Sequence, residues 1–412
     1  MRWFFLLLVG VSTHSFGQVA MGDFLQAAFN EPALKSFQAQ QEFLSSKKVY
    51  RLAPIQRLEF RTESNQLDRT RQDYALRINP ANPWEMKYTN RYFKTYQELL
   101  QLDRDRTLKE SLLVRYEVII SWVYYQELLT LRAEDKKATE NLLGIMEGQR
   151  FSTFFDAEDY VELKLDQVEK SIELEETRFE ADNERSRVEA LFPGARTQSI
   201  DWLEPLITVD RISRVVDSLM QTEPRSGETA YREMQVDLAA SEWNLEKSNI
   251  NVGFLQTEYQ PWRLDQGQRP WSISLGVTIP IFNPNKGDMA QRKLEMLEAQ
   301  GEADAARQQQ QANRQLSREK LQSLVSRYHE IQSLTDELNI GKLATTVQQI
   351  QDSNPGAVVR VQSNQIQLKI LAARLKREIH LAYLEFLSYS ELLQQQPLIN
   401  YLTSSLKPVT AE

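Results

Sequence analysis

Hydrophobic and polar residues alternate without interruption between Trp271 and Phe282. Every second position holds an aliphatic side chain, and the positions between hold small or weakly polar ones. A period of two is typical of a β-strand with one apolar and one polar face. Such a strand fits either a soluble core or the wall of a membrane barrel. The aliphatic residues are Ile273, Leu275, Val277, Ile279 and Ile281.

The same alternation occurs three more times. Leu58 and Phe60 alternate with charged residues, and after a polar turn Leu76 and Ile78 do so again, which predicts a β-hairpin over about 54–80. Val252–Tyr259 is a further strand candidate and would form a second hairpin, over about 251–282, with the strand at Trp271. The sequence therefore predicts four strands in two hairpins.

Long helical patterns separate the hairpins. From Trp84 to Glu147 apolar residues recur at spacings of three and four, and about 60 helical residues would extend roughly 90 Å. Residues 148–156 break this pattern. A return helix is predicted from Ala157 to Leu191, and a shorter helical stretch over 20–50, in which Pro32 marks either an early break or a helix start. The return helix has a coiled-coil stripe made of Leu165, Val168, Ile172 and Phe179.

The order of hairpin, long helix, break and return helix occurs twice, with corresponding positions about 200 residues apart, which indicates an internal repeat. The predicted organisation is a signal peptide at 1–17, a first repeat over 18–200 and a connecting segment at 201–225. A second repeat over 226–402 and a C-terminal tail at 403–412 complete it. The helical hairpins are predicted over 84–192 and 286–393.

The first residues have the pattern of a secretory signal. A basic start precedes an apolar run over Trp3–Val11 that is too short to span a bilayer, and Ser15-Phe16-Gly17 offers small residues for cleavage before Gln18. The alternative is an N-terminal core helix. We expect an exported protein.

Amino-acid composition further limits the kinds of site and partner that the chain can have. The 412 residues include no cysteine, so disulfides, thiolate metal sites and a lipidated cysteine are excluded. The formal charge is −8, from 49 basic and 57 acidic residues, which argues against nucleic acid as a partner. Only 14 glycines and 14 prolines are present, as in helix-rich proteins.

Four strands cannot close a barrel, and an open sheet edge is not tolerated in lipid. The long helices are thinly apolar and need neighbours to bury their stripes. If the hairpins lie in a membrane, several copies of the chain must therefore pool their strands. A soluble sandwich remains the alternative for the strand at Trp271.

The stretch Ser272–Gln300, SISLGVTIPIFNPNKGDMAQRKLEMLEAQ, resembles the TolC-like outer-membrane efflux proteins. In that family an alternating strand ends in a Pro-hydrophobic-Phe step, here Pro280-Ile281-Phe282, before a polar turn and a long helix. The resemblance covers the whole mature chain. It implies a mainly α fold with a small β part, in which long helical hairpins form an α-barrel. Each protomer of a homotrimer would add four strands to a 12-stranded transmembrane β-barrel.

The resemblance also implies a location and a role. The chain would lie in the outer membrane of a Gram-negative-type bacterium, with a large periplasmic part. It would be the exit duct of a tripartite efflux or export system and conduct substrate passively. Its partners would be outer-membrane lipid, a periplasmic adaptor (membrane fusion) protein and an inner-membrane pump or exporter. Ile273, Leu275, Val277, Ile279 and Ile281 would then face lipid.

The breaks in the helical patterns would be the periplasmic tips. The resemblance implies that the adaptor contacts Gly148, Phe151, Ser152 and Phe155 at the first tip and Gly356 and Val359 at the second. Helix tips in this family carry a Gly-x-x-Ser type of pattern. Gly148 and Ser152 fit it loosely at the first tip, whereas at the second tip Gly356 is followed by Val359-Arg360. Asp156 and Asp159 could line an acidic gate, since three copies would focus negative charge. The alternative is that they are solvated or cap a helix.

Motifs for catalysis are missing from the sequence. It has no phosphate-binding glycine loop, no nucleophile motif and no metal-binding histidine pair, and the mature chain has only His329 and His380. We expect no enzyme activity, no cofactor and no metal site. The competing function is a periplasmic coiled-coil adaptor or scaffold without a membrane barrel.

Overall fold

The computed structural model describes residues 18–64, 71–148, 150–151, 155–200, 202, 205–221, 227–250, 252–278, 285–338 and 355–409. The predicted signal peptide lies outside these residues. So do Ile279 and Ile281 of the predicted strand and Ser152 of the first tip. Most of the second predicted break, over 341–356, is outside them as well.

Helices make up most of the described chain. They are α1 (Met21–Gln26), α2 (Pro32–Ser45), α3 (Pro83–Gly148), α4 (Ala157–Leu191), α5 (Val209–Met220), α6 (Gly227–Ser248), α7 (Lys286–Leu338) and α8 (Pro355–Tyr389). The strands are β1 (Gln18–Val19), β2 (Ile55–Ser64), β3 (Gln72–Pro80), β4 (Ser199–Ile200), β5 (Gly253–Tyr259) and β6 (Trp271–Val277). The helical stretch predicted over 20–50 is interrupted before Pro32, because a 3-10 turn at Ala27–Asn30 separates α1 from α2. Pro32 begins α2, where the missing N–H of proline costs no hydrogen bond.

The 66-residue helix α3 has clear start and stop signals. At its start the side-chain oxygen of Asn82 accepts a hydrogen bond from the Trp84 N–H at 3.0 Å. No proline interrupts the chain between Pro83 and Gly148. α4 begins with Asp156 as its N-cap and ends before Pro193.

The described residues form two compact units. The first unit draws on the described residues within Met1–Glu31, Leu108–Pro224 and Asn313–Glu412, and its core includes the fully buried Tyr116 and Phe386. Helices α3 and α8 pack there through a buried apolar seam. Its members are Tyr124, Leu128, Leu131, Ile366, Ile370 and Ala373.

The second unit draws on Pro32–Thr107 and Arg225–Ala312 and contains the main sheet. Its four strands are antiparallel in the order β2-β3-β5-β6. The pairing of β3 with β5 joins the two hairpins into one sheet. At one end of this sheet the Asn82 side-chain amide donates to the Ser248 and Ile250 carbonyls, at 2.6 and 3.1 Å. Asn82 therefore joins the start of α3 to the end of α6.

The predicted coiled-coil stripe of α4 does not pack within the chain. Leu165, Val168, Ile172 and Phe179 are 66%, 56%, 55% and 65% exposed. The buried face of α4 is formed instead by Lys170, Leu174, Thr177, Ala181, Glu184 and Val188. The physical reason is polar pairing, because Lys170 finds hydrogen-bonding partners on α3 and α8. The apolar stripe is left on the surface of the single chain.

Candidate functional site

The four-stranded sheet carries a continuous apolar surface on one side. Residues that pair across antiparallel strands project from the same face. The row through Phe60, Leu76, Thr257 and Ile273 lies beside the row through Leu58, Ile78, Leu255 and Leu275. We call this surface the apolar face. It comprises Leu58, Phe60, Tyr74, Leu76, Ile78, Leu255, Thr257, Tyr259, Trp271, Ile273, Leu275 and Val277.

The apolar face is open in the single chain. Ile273 and Leu275 are each 75% exposed, and Phe60 is 69% exposed. A monomeric soluble protein rarely exposes a contiguous apolar patch of this kind, which instead marks a contact with protein or lipid. Ile273, Leu275 and Val277, predicted to share one face, do lie together.

The opposite face of the same sheet is polar. Glu59 is paired with Arg57 at 2.7 Å and with Arg61 at 2.6 Å. Arg77 donates to the side-chain oxygen of Gln256 on the next strand at 3.0 Å. We call this surface the polar face. It comprises Arg57, Glu59, Arg61, Glu63, Asp73, Arg77, Gln256, Glu258, Ser272 and Ser274.

Aromatic side chains lie at the end of the sheet farther from the helices. The rings of Tyr259 and Trp271 are paired across the strands with centroids 4.7 Å apart. The Trp262 indole N–H donates to Asp73 at 2.8 Å. Tyrosine and tryptophan combine an apolar ring with a polar atom, which suits the boundary between an apolar phase and water.

The edges of the sheet are open in the described part of the chain. β2 pairs only with β3, and β6 only with β5. Each edge strand therefore presents backbone N–H and C=O groups that another strand could pair. Because each neighbouring pair is antiparallel, β6 runs opposite to β2. The β6 edge of one copy could continue antiparallel onto the β2 edge of another.

The first predicted tip lies between α3 and α4. Gly148 is the last residue of α3, and Phe151 is 99% exposed. Phe155 packs against Tyr160 with ring centroids 5.7 Å apart. The Tyr160 hydroxyl donates to Glu147 at 3.0 Å, which links the end of α3 to the start of α4.

The two candidate gate carboxylates have different partners. Asp156 caps α4, and its Oδ1 accepts from the Glu158 and Asp159 N–H groups at 2.8 and 3.3 Å. Asp159 pairs with Arg360 of α8 at 3.3 Å. Capping was the alternative considered for Asp156, and the Arg360 guanidinium offsets the charge of Asp159. The gate stays a prediction, as do the adaptor contacts, although Gly356 and Val359 lie in the first turns of α8.

A polar cluster that the sequence did not predict ties three helices together. The buried Lys170 ammonium donates to Asp135 at 3.1 Å, Thr139 at 2.9 Å and Ser363 at 2.9 Å. Gln367 donates to the other oxygen of Asp135 at 3.0 Å. A lysine inside a helix pattern normally indicates a solvated surface, so nothing in the sequence pointed to this cluster.

Neither a metal centre nor a membrane helix is found in the described ranges. None of their His, Asp and Glu side chains group in threes or more in a way that could hold a metal ion. None of their helices is both long and apolar enough to cross a membrane.

Comparisons with known proteins identify the fold. No protein-family model matches the sequence, and no curated protein does. Among solved structures, the chain is similar to the outer membrane protein VceC of Vibrio cholerae, with a TM-score of 0.66 and 10% identity over 90% of this chain and 96% of that one. It is also similar to the CmeC outer membrane channel of Campylobacter jejuni, with a TM-score of 0.63 and 11% identity over 94% and 84% of the two chains.

The open state of the MtrE outer membrane channel of Neisseria gonorrhoeae gives a TM-score of 0.65 at 10% identity, over 90% of this chain and 88% of that one. The predicted fold class, mainly helical with a small four-stranded antiparallel sheet, is therefore confirmed. The resemblance to TolC-like proteins is confirmed at the level of the fold.

Proposed function

We propose that this chain is one subunit of an outer-membrane exit duct. The observation that carries this proposal is the division of one sheet into an exposed apolar face and a charged polar face. In a barrel wall the apolar face would contact lipid and the polar face would line a water-filled lumen. The fold shared with outer membrane channels supports the same conclusion.

The open edges support assembly from several copies. Each chain contributes an even number of antiparallel strands, so head-to-tail pairing of β6 with β2 can repeat around a ring and close it. Three copies would give 12 strands. Closure removes the edges, which satisfies the requirement that every backbone polar group in lipid be paired.

The exposed stripe of α4 supports the same assembly. Four apolar side chains on one helix remain more than half exposed, although coiled-coil stripes are normally buried against a partner helix. Packing against a neighbouring copy would bury them. The assembled helices would form a periplasmic tunnel that conducts substrate passively, so energy for transport would come from an inner-membrane pump or exporter.

The described tip residues are where we place the adaptor. Phe151 is fully exposed beside Gly148, at the end of the helical hairpin of α3 and α4. Aromatic side chains, phenylalanine included, are enriched in protein interfaces relative to the rest of the surface. A periplasmic adaptor would join the duct to the pump at this tip.

Fractionation and mass measurement test the proposal. The protein should sediment with outer membranes, resist extraction by alkali and dissolve in detergent as a homotrimer. Reconstituted into a planar bilayer, that trimer should give stepwise ion conductance. A water-soluble monomer or dimer released by alkali would contradict the duct and favour the coiled-coil scaffold.

A further inference from the structure

The segment between α2 and β2 has an unusual charge pattern. From Phe43 to Leu58 the chain has four cationic residues and no acidic one. The start of α3, over 81–97, adds three cations and a single carboxylate, Glu85. In the whole chain acidic residues outnumber basic ones, so this local excess of positive charge runs against the composition.

The fold brings these two stretches together at the end of the sheet that leads into the helices. The Ala81 N–H donates to the Pro54 carbonyl at 2.8 Å. The rings of Tyr50 and Phe93 stack with centroids 4.6 Å apart. The segment before β2 therefore runs beside the first turns of α3. We call the cations gathered there the basic collar; its members are Lys47, Lys48, Arg51, Lys87 and Arg91.

The side chains of the basic collar are exposed and have no acidic partner in the part of the chain described. Two neighbouring cations do have one, because Arg57 pairs with Glu59 and Lys94 with Glu98. The collar borders exposed apolar side chains, since Ile55 is 50% and Trp84 is 62% exposed. Ile55 pairs with Pro80 beside the Leu58–Ile78 pair, so the collar lies next to the apolar face where that face ends.

We propose that the basic collar binds the phosphate head groups of anionic phospholipids in the leaflet nearest the helices. This proposal rests on the proposed function, because it requires the apolar face to lie in lipid. Lysine and arginine near an anionic membrane surface are attracted to it, and their long side chains extend from the apolar boundary to the head groups. Lys87 lies about 6 Å along the helix from Pro83, within the roughly 5–8 Å of head-group layer on each side of a bilayer. Arg91 lies about 12 Å from Pro83, and its long side chain can extend back to that layer.

Lipid retention by the reconstituted protein tests the collar. The trimer is placed in nanodiscs of phosphatidylcholine with a minor fraction of phosphatidylglycerol, and native mass spectrometry counts the lipids that stay bound. The variant K47Q/K48Q/R51Q removes three collar charges. The variant K137Q/R327Q/K369Q removes the same charge from exposed cations on α3, α7 and α8, outside the sheet unit.

The native protein and the K137Q/R327Q/K369Q control should both enrich phosphatidylglycerol over phosphatidylcholine. The collar variant should lose that enrichment by about ten-fold while it still forms trimers and inserts. The variant K87Q/R91Q removes the two collar charges on α3 and should also lower the enrichment of phosphatidylglycerol. Equal enrichment in all inserted proteins would contradict lipid binding by the basic collar, but it would not contradict the proposed outer-membrane duct. Failure of the native protein to insert would overturn both.

Discussion

The aromatic ring of Phe254 lies over Gly276 of the neighbouring strand, on the polar face of the sheet. The two residues are directly opposite each other in the pairing of β5 with β6. A Cβ atom on Gly276 would lie 2.3 Å from Cε1 of the Phe254 ring. The guanidinium carbon of Arg77 lies 3.9 Å from the centroid of the same ring. Gly276 therefore leaves the space that the ring fills, and the ring covers the glycine backbone.

The first prediction concerns this contact. Gly276→Ala should lower the free energy of unfolding by about 1–3 kcal/mol, because the new methyl group forces the Phe254 ring off its position. Denaturant unfolding of the detergent-solubilised protein measures the change. Gly301→Ala is the matched control, since no atom lies within 4 Å of the added Cβ in α7. The control should be neutral or stabilising by about 0.5–1 kcal/mol.

Gly253 gives a second and more severe case. Its φ is +127°, and an added Cβ would lie 2.0 Å from the Gly276 carbonyl oxygen. Gly253→Ala therefore combines a disfavoured backbone conformation with a clash against the main chain of β6, which cannot rotate away as a side chain can. The variant should yield less membrane-inserted protein than Gly276→Ala at equal expression. Gly267→Ala, also at positive φ but with open space around it, should be milder. Equal yields for the two would contradict the clash.

The four strands of the main sheet were predictable because apolar side chains project from one face of the sheet and polar side chains from the other. Ile273 and Leu275 alternate with Ser272 and Ser274, and this period of two is visible in the sequence alone. The pairing of β3 with β5 was not visible, since it joins residues such as Leu76 and Thr257 that lie far apart along the chain. Non-local pairing depends on the whole fold, and a local pattern does not specify it.

The positions of the long helices were predictable, but the side of α4 that is buried was not. α4 has an apolar stripe and a mixed stripe, and both have helical spacing. The chain buries the mixed one, because Asp135, Thr139 and Ser363 satisfy the Lys170 ammonium from other helices. A pattern of hydrophobic residues cannot reveal partners that other segments supply. The residue type of Asp156 did allow a helix cap to be considered, and Asp156 is the N-cap of α4.

The Lys170 cluster supplies the third prediction. Lys170→Met should cost about 3–5 kcal/mol of unfolding free energy, because it leaves the buried Asp135 carboxylate without its cation. Urea unfolding measures this cost. In a double-mutant cycle, Lys170→Met combined with Asp135→Leu should cost less than the sum of the two single changes. Lys164→Met, on the same helix as Lys170, removes a half-exposed pair with Glu147 of α3 and should cost under about 1 kcal/mol.

The fourth prediction concerns pH. His380 is buried, with Nδ1 2.7 Å from the Lys376 carbonyl oxygen and Nε2 2.9 Å from that of Ile207. Burial lowers the pKa of His380 below its usual 6.5, although both carbonyls favour the protonated ring. The unfolded chain therefore takes up this proton more readily than the folded one. The resulting contribution to stability is fully present above pH 6.5 and is lost as the pH falls below it.

Unfolding free energies at several pH values between neutral and mildly acidic measure this effect. The native protein should lose up to about 1.4 kcal/mol per pH unit from this one group. His380→Gln should show a shallower dependence, because glutamine has no proton to take up. A slope unchanged by His380→Gln would show that other groups control the acid response.

The facing of the sheet gives the last prediction. Leu275 and Ser274 are neighbours on β6 and project to opposite faces, Leu275 opposite Leu255 and Ser274 opposite Gln256. Leu275→Arg would place a charge on the apolar face, where lipid contact costs about 2–4 kcal/mol near the middle of a bilayer. Ser274→Arg would place the same charge among the polar residues of the other face and should assemble nearly as well as the native protein. The share of each variant recovered as heat-sensitive trimers from outer membranes measures the difference. Equal recovery would mean that the apolar face is not in lipid, and the sheet would then need a protein partner over the same surface.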